Sequence, residues 1–149
     1  MKTISRTIVA AVLMSKDGKI LIGKIREGGV YPDCWHAPGG GVESGEDHCT
    51  ALNRELLEEI NLDARSLPCS LLDDSGSGRS EKRLSSGEVV LAKMRFYMYQ
   101  VEVPLELISQ ISPKEEFIEL RWFTTTELRS ITLTPPGIEL FRRLGYVTL

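Results

Sequence analysis

The chain of 149 residues lacks several features that would define an obvious class of protein. The apolar run near its start, residues 8–14, is shorter than the roughly 20 residues that a helix needs to cross a bilayer. Its three cysteines, Cys34, Cys49 and Cys69, form no C-x-x-C pair, which argues against a zinc site. The net charge of −3 argues against a nucleic-acid backbone as the main partner.

The composition predicts one soluble globular domain over residues 1–149. Hydrophobic residues make up 42% and charged residues 26%, which is close to the globular average. An odd number of scattered cysteines is typical of reduced thiols, and the N-terminal run shows no signal-peptide cleavage pattern. We therefore expect a cytoplasmic location and no membrane partner.

Strand and helix patterns are mixed along the chain. Residues 6–14 and 19–26 read as two apolar strands that form a hairpin around the Asp17-Gly18 turn. The Ser/Gly-rich segment 75–88 is expected to be a mobile hairpin loop. One helix is predicted from Asp47 to Ile60, with Asn61 directly after its end. A second helix is predicted to begin after Thr134, which would cap it. Further strands are predicted at 66–74, 89–103 and 116–123, and a helical turn at 124–131.

The helix from Asp47 carries two different faces. Its apolar face consists of Cys49, Leu52, Leu56 and Ile60, and its acidic face of Glu55, Glu58 and Glu59. Like charges at this spacing destabilise a helix, so something must offset their repulsion. Glu55 and Glu59 have Cβ atoms roughly 5–6 Å apart, a spacing that suits two oxygen ligands of one Mg²⁺. A solvated acidic face is the other interpretation, and this segment alone leaves both open.

Three glycines precede the helix. Gly39, Gly40 and Gly41 have no Cβ, so their backbone can approach a ligand closely. The chain has neither G-x-x-x-x-G-K-[ST] nor G-x-G-x-x-G after a strand, which excludes these two phosphate-binding loops.

Together, the loop and the helix resemble the Nudix box, the signature of the Nudix hydrolases. The pattern reads Gly40, five residues, Glu46, seven residues, Arg54-Glu55, Leu56, Leu57, Glu58-Glu59, Ile60, Asn61 and Leu62. The single departure is Asn61, where the family has glycine, and asparagine tolerates the left-handed conformation. The flanking segments WHAPGGGVE and EEFIELRWFTTTEL also resemble the family, so the resemblance extends from about Thr7 to Leu128.

The resemblance implies a protein that contains both helices and strands, which is α/β in the broad sense and α+β in the narrower one. Its mixed β-sheet would be sandwiched between helices, with the box as a loop–helix–loop. The implied activity is hydrolysis of a pyrophosphate bond in a nucleoside diphosphate linked to a group X, with Mg²⁺ as cofactor and Mn²⁺ as a substitute. We favour a nucleoside or deoxynucleoside triphosphate, converted to the monophosphate and pyrophosphate. A nucleotide-sugar or other diphosphate hydrolase and a non-catalytic nucleotide-binding module are the alternatives.

The resemblance also implies roles for single residues. The expected metal ligands are the carboxylates Glu55, Glu58 and Glu59 and a backbone carbonyl of Gly40 or Gly39. Arg54 is expected to orient a box carboxylate, and Glu46 to support that network. The general base is either a box glutamate or a later one, for which Glu116 fits best and Glu115 is its neighbour. The expected catalytic residues are therefore Glu55, Glu58, Glu116 and Arg54.

Substrate contacts are expected from Arg26, Trp35 and Gly39, although Trp35 fits the core equally well. His36 and His48 are expected to be structural or on the surface. The partner is a small nucleotide rather than a nucleic acid, and both a monomer and a homodimer remain open.

Overall fold

The computed structural model describes residues 1–29 and 31–147. In these residues the strands are β1 Thr3–Met14, β2 Ile20–Ile25, β3 Trp35–His36, β4 Gly39–Gly41, β5 Cys69–Arg83, β6 Val89–Glu102 and β7 Phe117–Phe123. The helices are α1 His48–Ile60 and α2 Pro135–Arg143, with short 3₁₀ helices at Leu105–Gln110 and Glu127–Ser130. No helix in the described part of the chain is long and apolar enough to cross a membrane.

The strands form one mixed sheet in the order β3-β2-β1-β6-β5, with β4 paired to β1 and β7 paired to β2. The central pair, β1 and β6, is parallel from Thr3 opposite Leu91 to Met14 opposite Glu102. The other pairs are antiparallel, including the predicted hairpin of β1 and β2. This mixed sheet with few helices confirms the predicted α+β class.

The two helices cover opposite faces of the sheet because side chains alternate along each strand. One core joins α1 to the face of β1 that carries Val9 and Leu13. The other joins α2 to the face that carries Ala10 and Val12. The sheet therefore lies between the helices, as predicted, and β1 is buried on both sides.

The ends of α1 agree with the sequence. Asp47 caps its start by accepting a hydrogen bond of 2.8 Å from the Thr50 amide, and Asn61 ends it with φ of 59°. The predicted faces were partly wrong. Cys49 is exposed, whereas Ala51 and Glu59 are buried together with Leu52, Leu56 and Ile60. Glu59 is only 6% exposed because it turns towards β4 instead of solvent.

The prediction of a mobile loop over residues 75–88 was wrong for most of that segment. Strand β5 continues to Arg83 and pairs with β6 down to the contact between Arg83 and Val89. The connecting turn covers residues 84–88, where Gly87 adopts φ of 90°. Pairing with the apolar strand β6 supplies the hydrogen bonds, so a Ser/Gly-rich composition that is weak in isolation becomes a strand.

His36 links β3 to the start of α2. Its Nδ1 lies 2.6 Å from Thr134 Oγ1, and that oxygen accepts a hydrogen bond from the Gly137 amide. Burial lowers the pKa of His36 from 6.5 to about 4. The neutral ring suits this position, because the Thr134 hydroxyl can then donate to Nδ1 while it accepts from Gly137.

We expect His36 to make the protein less stable in mild acid. The unfolded chain binds the proton near pH 6.5 and the folded chain only near pH 4, so stability present above pH 6.5 is lost as the pH falls towards 4. Between pH 7 and 5 the loss is about 2 kcal/mol. Protonation of the buried Glu59, whose pKa is raised to about 8, stabilises the fold over the same pH range in every variant, so the test is a difference between variants. Urea unfolding at both pH values should show that the change from pH 7 to 5 is about 2 kcal/mol less favourable in the wild type and in His48→Gln than in His36→Gln. An equal change in His36→Gln would contradict the assignment.

Candidate active site

Strand β4 lies against both β1 and α1 at very short range. Gly39, Gly40 and Gly41 pair with Ala10, Val9 and Ile8 of β1. A Cβ atom on Gly39 would come within 2.2 Å of the Val9 carbonyl oxygen, and one on Gly40 within 2.4 Å of the Glu55 carboxylate. A side chain at position 39 would therefore clash with the backbone of β1, whereas a side chain at position 40 would displace the Glu55 carboxylate.

Arg54 joins the acidic residues of the loop and the helix. Its Nε and Nη2 each donate to a Glu46 carboxylate oxygen at 2.9 Å, and its Nη1 donates to Glu55 Oε1 at 2.9 Å. Nη2 also donates to the Gly41 carbonyl at 3.0 Å. The guanidinium group thus connects the loop, β4 and α1, which is the arrangement expected of a residue that orients a carboxylate.

The electrostatic environments of Glu46 and Glu55 differ. Hydrogen bonds from Arg54 hold the pKa of Glu46 down to about 2, so its negative charge persists at neutral pH. Burial raises the pKa of Glu55, and the Arg54 hydrogen bond only partly opposes this rise. Glu58 is more exposed and lies 3.5 Å from Arg54 Nη1. Arg54 therefore distributes one positive charge over several carboxylates.

Glu59 is the most buried acid of the site. Its Oε1 accepts a hydrogen bond of 2.8 Å from the Gly39 amide, and no lysine or arginine in the described residues lies within ion-pair distance of it. Burial raises its pKa to about 8, and the negative charges of Glu55, Glu116 and Glu58 add to the rise. A buried carboxylate without a cation is costly, so this position is suited to an added positive charge.

Glu116 comes from the turn before β7 and lies close to this group. Its charge acts on Glu59, and its Oε1 is 3.7 Å from the position of a Cβ on Gly29. The backbone carbonyl of Glu116 accepts a hydrogen bond from the Arg26 amide, so the exposed Arg26 lies beside Glu116. The neighbouring Glu115 is exposed and adopts φ of 55° in the turn.

Trp35 does not lie in the site, which corrects the prediction of a substrate contact. It is 7% exposed and belongs to the core beneath α2, where its ring meets Phe123 edge-on at 5.1 Å. The strand β3 that carries it pairs with β2 and directs the indole into that core. His36 and His48 bond to Thr134 and Tyr99, respectively, and lie in structural contacts.

The protein oxygen atoms of this site fit a hard divalent cation only when waters and a bound ligand supply the rest of its coordination shell. Among the described residues, no three His, Cys, Asp or Glu side chains already converge as a metal cluster. Glu55 and Glu59 nevertheless both face β4, and Glu59 lacks a cation partner in the described part of the chain. Mg²⁺ usually keeps waters and substrate phosphates in its shell, so a few protein oxygens suffice.

The structure adds two residues that the sequence analysis missed. Glu43 lies 3.8 Å from Arg54 Nη1, and its amide donates to Glu46. Arg6 places its guanidinium group directly against Gly41. Glu43 stands three residues before Glu46, so a local turn was a usable signal. Arg6 reaches Gly41, on the sheet face opposite the one that α1 covers, only because β1 pairs with β4, and nothing in the sequence shows that pairing.

Taken with this fold and site, a sequence model of the NUDIX domain matches residues 5–144, so the chain belongs to the Nudix family and is a Nudix hydrolase. Members of this family generally use a divalent metal ion.

Three known proteins illustrate what the chain is similar to. The chain is 27% identical over 143 residues to the nucleoside triphosphatase NudI of Enterobacter sp. (strain 638), covering 94% of this chain and 96% of the relative. It is 31% identical over 132 residues to an RNA pyrophosphohydrolase of Rhodopseudomonas palustris (strain BisB18), covering 78% and 73%. A solved MutT structure from work on Aliivibrio salmonicida and Vibrio cholerae has a TM-score of 0.68 at 20% identity, covering 95% and 97%, and so supports the fold.

Proposed function

We propose that this single-domain protein is a Mg²⁺-dependent pyrophosphohydrolase of nucleoside or deoxynucleoside triphosphates. The products are the nucleoside monophosphate and pyrophosphate. The observation that carries the proposal is the buried Glu59 carboxylate, which lies beside the glycine strand and Glu55 without a cation partner in the described residues. The name of the NudI relative, a nucleoside triphosphatase, supports this substrate class.

In this proposal the cation is held by Glu55 and Glu59, with Glu58 beside them and a backbone carbonyl of Gly39 or Gly40 as a further ligand. When bound, Mg²⁺ neutralises phosphate charge and polarises a phosphoryl oxygen. Mn²⁺ takes similar oxygen ligands and is expected to substitute. The protein is itself mildly acidic, so the cation is what allows a polyanion to approach this group of carboxylates.

The residues of the chain position the reaction. Arg54 fixes the Glu55 carboxylate, while Glu46 and the Gly41 carbonyl fix Arg54. A carboxylate, either Glu116 or a box glutamate, accepts a proton from the attacking water. The new bond joins this water oxygen to the α- or the β-phosphorus, and the P–O bond between that phosphorus and the oxygen bridging the two breaks. The bond electrons leave with the other product, which is pyrophosphate after attack on the α-phosphorus and the nucleoside monophosphate after attack on the β-phosphorus.

Free nucleotides are favoured over nucleic acids by the net charge of −3, since a bound polyanionic backbone usually needs a basic surface. The Rhodopseudomonas relative is named an RNA pyrophosphohydrolase, so a 5′-triphosphorylated oligoribonucleotide is the substrate to compare with free nucleotides. Arg26, which is exposed beside Glu116, is the predicted contact for a phosphate of the nucleotide.

The test is a panel of the eight common ribo- and deoxyribonucleoside triphosphates, a nucleotide sugar and a 5′-triphosphorylated oligoribonucleotide, with and without Mg²⁺. We expect Mg²⁺-dependent release of pyrophosphate from one or more of the triphosphates, with the monophosphate identified by chromatography. Faster cleavage of the nucleotide sugar or the oligoribonucleotide would contradict the substrate class. Binding without any hydrolysis would contradict the enzyme and support the non-catalytic module.

A further inference from the structure

Cys49 lies on the side of α1 that faces the sheet. It stands three residues before the buried Leu52, so the two side chains share one side of the helix about one turn apart. The acidic residues Glu55 and Glu59 lie about 80–120° around the helix from Cys49 and turn towards β4. The Cys49 thiol, which is exposed, is therefore directed away from β4.

His48 fixes the start of α1 over strand β6. Its Nδ1 lies 2.7 Å from the Tyr99 hydroxyl oxygen, and the centre of its ring is 4.5 Å from that of Tyr97. Strand β1 lies between β4 and β6, and β5 lies on the far side of β6. Because Cys49 follows His48 and is directed away from β4, its thiol lies on the β5 side of this contact.

Cys69 points to the same face of the sheet from strand β5. It is the first residue of β5 and pairs with Val101 of β6, which belongs to the core beneath α1. Directly paired residues point to one face, so the Cys69 thiol is on the side of the sheet that α1 covers. Tyr99, two residues before Val101, points to this face as well and contacts His48 there.

The structure thus brings two thiols that lie far apart in the sequence together at the edge of the sheet. The electrostatics of the cluster agree with this placement. Partial desolvation raises the pKa of Cys69, and the negative charge of a Cys49 thiolate adds to the rise. Desolvation also raises the pKa of Tyr99, and charges on both cysteines add to it. Interactions between exposed charges are largely screened beyond about 10 Å, so the three groups are close neighbours.

We propose that Cys49 and Cys69 are a redox-active pair that closes to an intramolecular disulfide when the protein meets a peroxide. Both thiols are free and exposed, so a small oxidant can reach them. The raised pKa of Cys69 reduces the share of its thiolate at neutral pH, and we assign the first step to Cys49. The pair would close whether or not the chain hydrolyses nucleotides, since neither thiol belongs to the carboxylate site.

The reaction has two steps. The Cys49 thiolate attacks one peroxide oxygen, so that an S–O bond forms, the O–O bond breaks and the departing hydroxide leaves as water with the proton of the thiol. The Cys69 thiolate then attacks the Cys49 sulfur, so that the S–S bond forms, the S–O bond breaks and a second water leaves. The two sulfurs together lose two electrons, which the peroxide gains.

Peptide mapping of the reduced protein after treatment with a small excess of hydrogen peroxide tests the pairing. Free thiols are alkylated, and trypsin with a glutamate-specific protease then gives Cys49 in peptide 47–54 and Cys69 in peptide 66–79, apart from Cys34. We expect these two peptides to be joined in a protein whose mass has fallen by two hydrogen atoms, and dithiothreitol to restore both thiols. Cys49 oxidised without a bridge, or a bridge between two chains on a non-reducing gel, would overturn the pair.

Cys34→Ser is the matched control, because Cys34 lies in the segment before β3 and takes no part in the cluster. It should form the bridge as the wild type does, whereas Cys49→Ser and Cys69→Ser should not. A bridge between these positions closes a loop of about 20 residues, so the melting temperature should rise by about 5–10 °C in the wild type and the control only. An unchanged or lower melting temperature in the bridged wild type would show that closure distorts the fold, which contradicts a pair already in position.

Discussion

Replacing Glu59 with glutamine is expected to lower kcat by at least about a hundredfold, as removal of one electrostatic contact to a transition state commonly does. The change keeps the shape of the side chain but removes the carboxyl group whose ionised form would face a bound cation beside Glu55. A neutral amide is a poor ligand for a hard divalent cation compared with a carboxylate. The effect should therefore appear in kcat and in the Mg²⁺ concentration that gives half-maximal activity.

The same variant is expected to be as stable as the wild type or slightly more stable. The sequence alone suggested an unaffected fold because the acidic face of α1 was taken to lie outside the core. That reason was wrong, since Glu59 is buried. The amide oxygen of glutamine can still accept from the Gly39 amide, and the variant no longer places a carboxylate in a desolvated position.

Steady-state kinetics and calorimetric melting of Glu59→Gln check both statements. Glu102→Gln, which neutralises an exposed carboxylate at the end of β6, is the matched control and should behave like the wild type. Near-normal turnover in Glu59→Gln, or a melting temperature many degrees lower, would refute the role given to Glu59.

Alanine at two adjacent glycines is expected to affect different properties: Gly39→Ala should lower mainly stability, and Gly40→Ala should lower mainly kcat. In Gly39→Ala the new Cβ meets backbone, at 2.2 Å from the Val9 carbonyl oxygen and 2.5 Å from the Ala10 Cα. Strand β4 must then move away from β1, which should cost about 3 kcal/mol, similar to other overpacked cores. For a protein of this size, that corresponds to a melting temperature about 6–12 °C lower.

In Gly40→Ala the new Cβ instead meets the end of a side chain, the Glu55 carboxylate, at 2.4 Å. A flexible side chain can shift, so the loss of stability should stay within about 1 kcal/mol. The shift moves the Glu55 carboxylate away from Arg54, and kcat should fall at least about tenfold, as for other misplaced groups that orient a reaction.

Calorimetry and kinetics on the two variants, with Gly45→Ala as a third, decide this contrast. Gly45 has open space around its Cα and φ of 85°, so its alanine variant carries only left-handed strain of about 1–2 kcal/mol. If Gly40→Ala were the less stable of the pair and Gly39→Ala the less active, the two contacts would have been assigned the wrong way round.

The sequence by itself determined the local parts of this protein. The caps at Asp47 and Asn61, the hairpin turn at Asp17-Gly18 and the spacing from Gly40 to Glu59 depend on residues close together in the chain. Backbone preferences and helical geometry act over such short distances, so one sequence suffices to read them. The same spacing placed Arg54 near Glu46 and Glu55, because residues of one helix and its leading loop cannot lie far apart.

Only the tertiary structure decided what depends on pairing between distant segments. The contact of β1 with β4 brings Arg6 against Gly41, and the parallel contact of β1 with β6 joins two strands that lie far apart in the chain. Pairing with β6 likewise turned a Ser/Gly-rich segment into strand β5, and packing beneath α2 buried Trp35. Hydrogen bonding and burial between remote segments outweigh local composition, since no short stretch of the sequence records which partner it will meet.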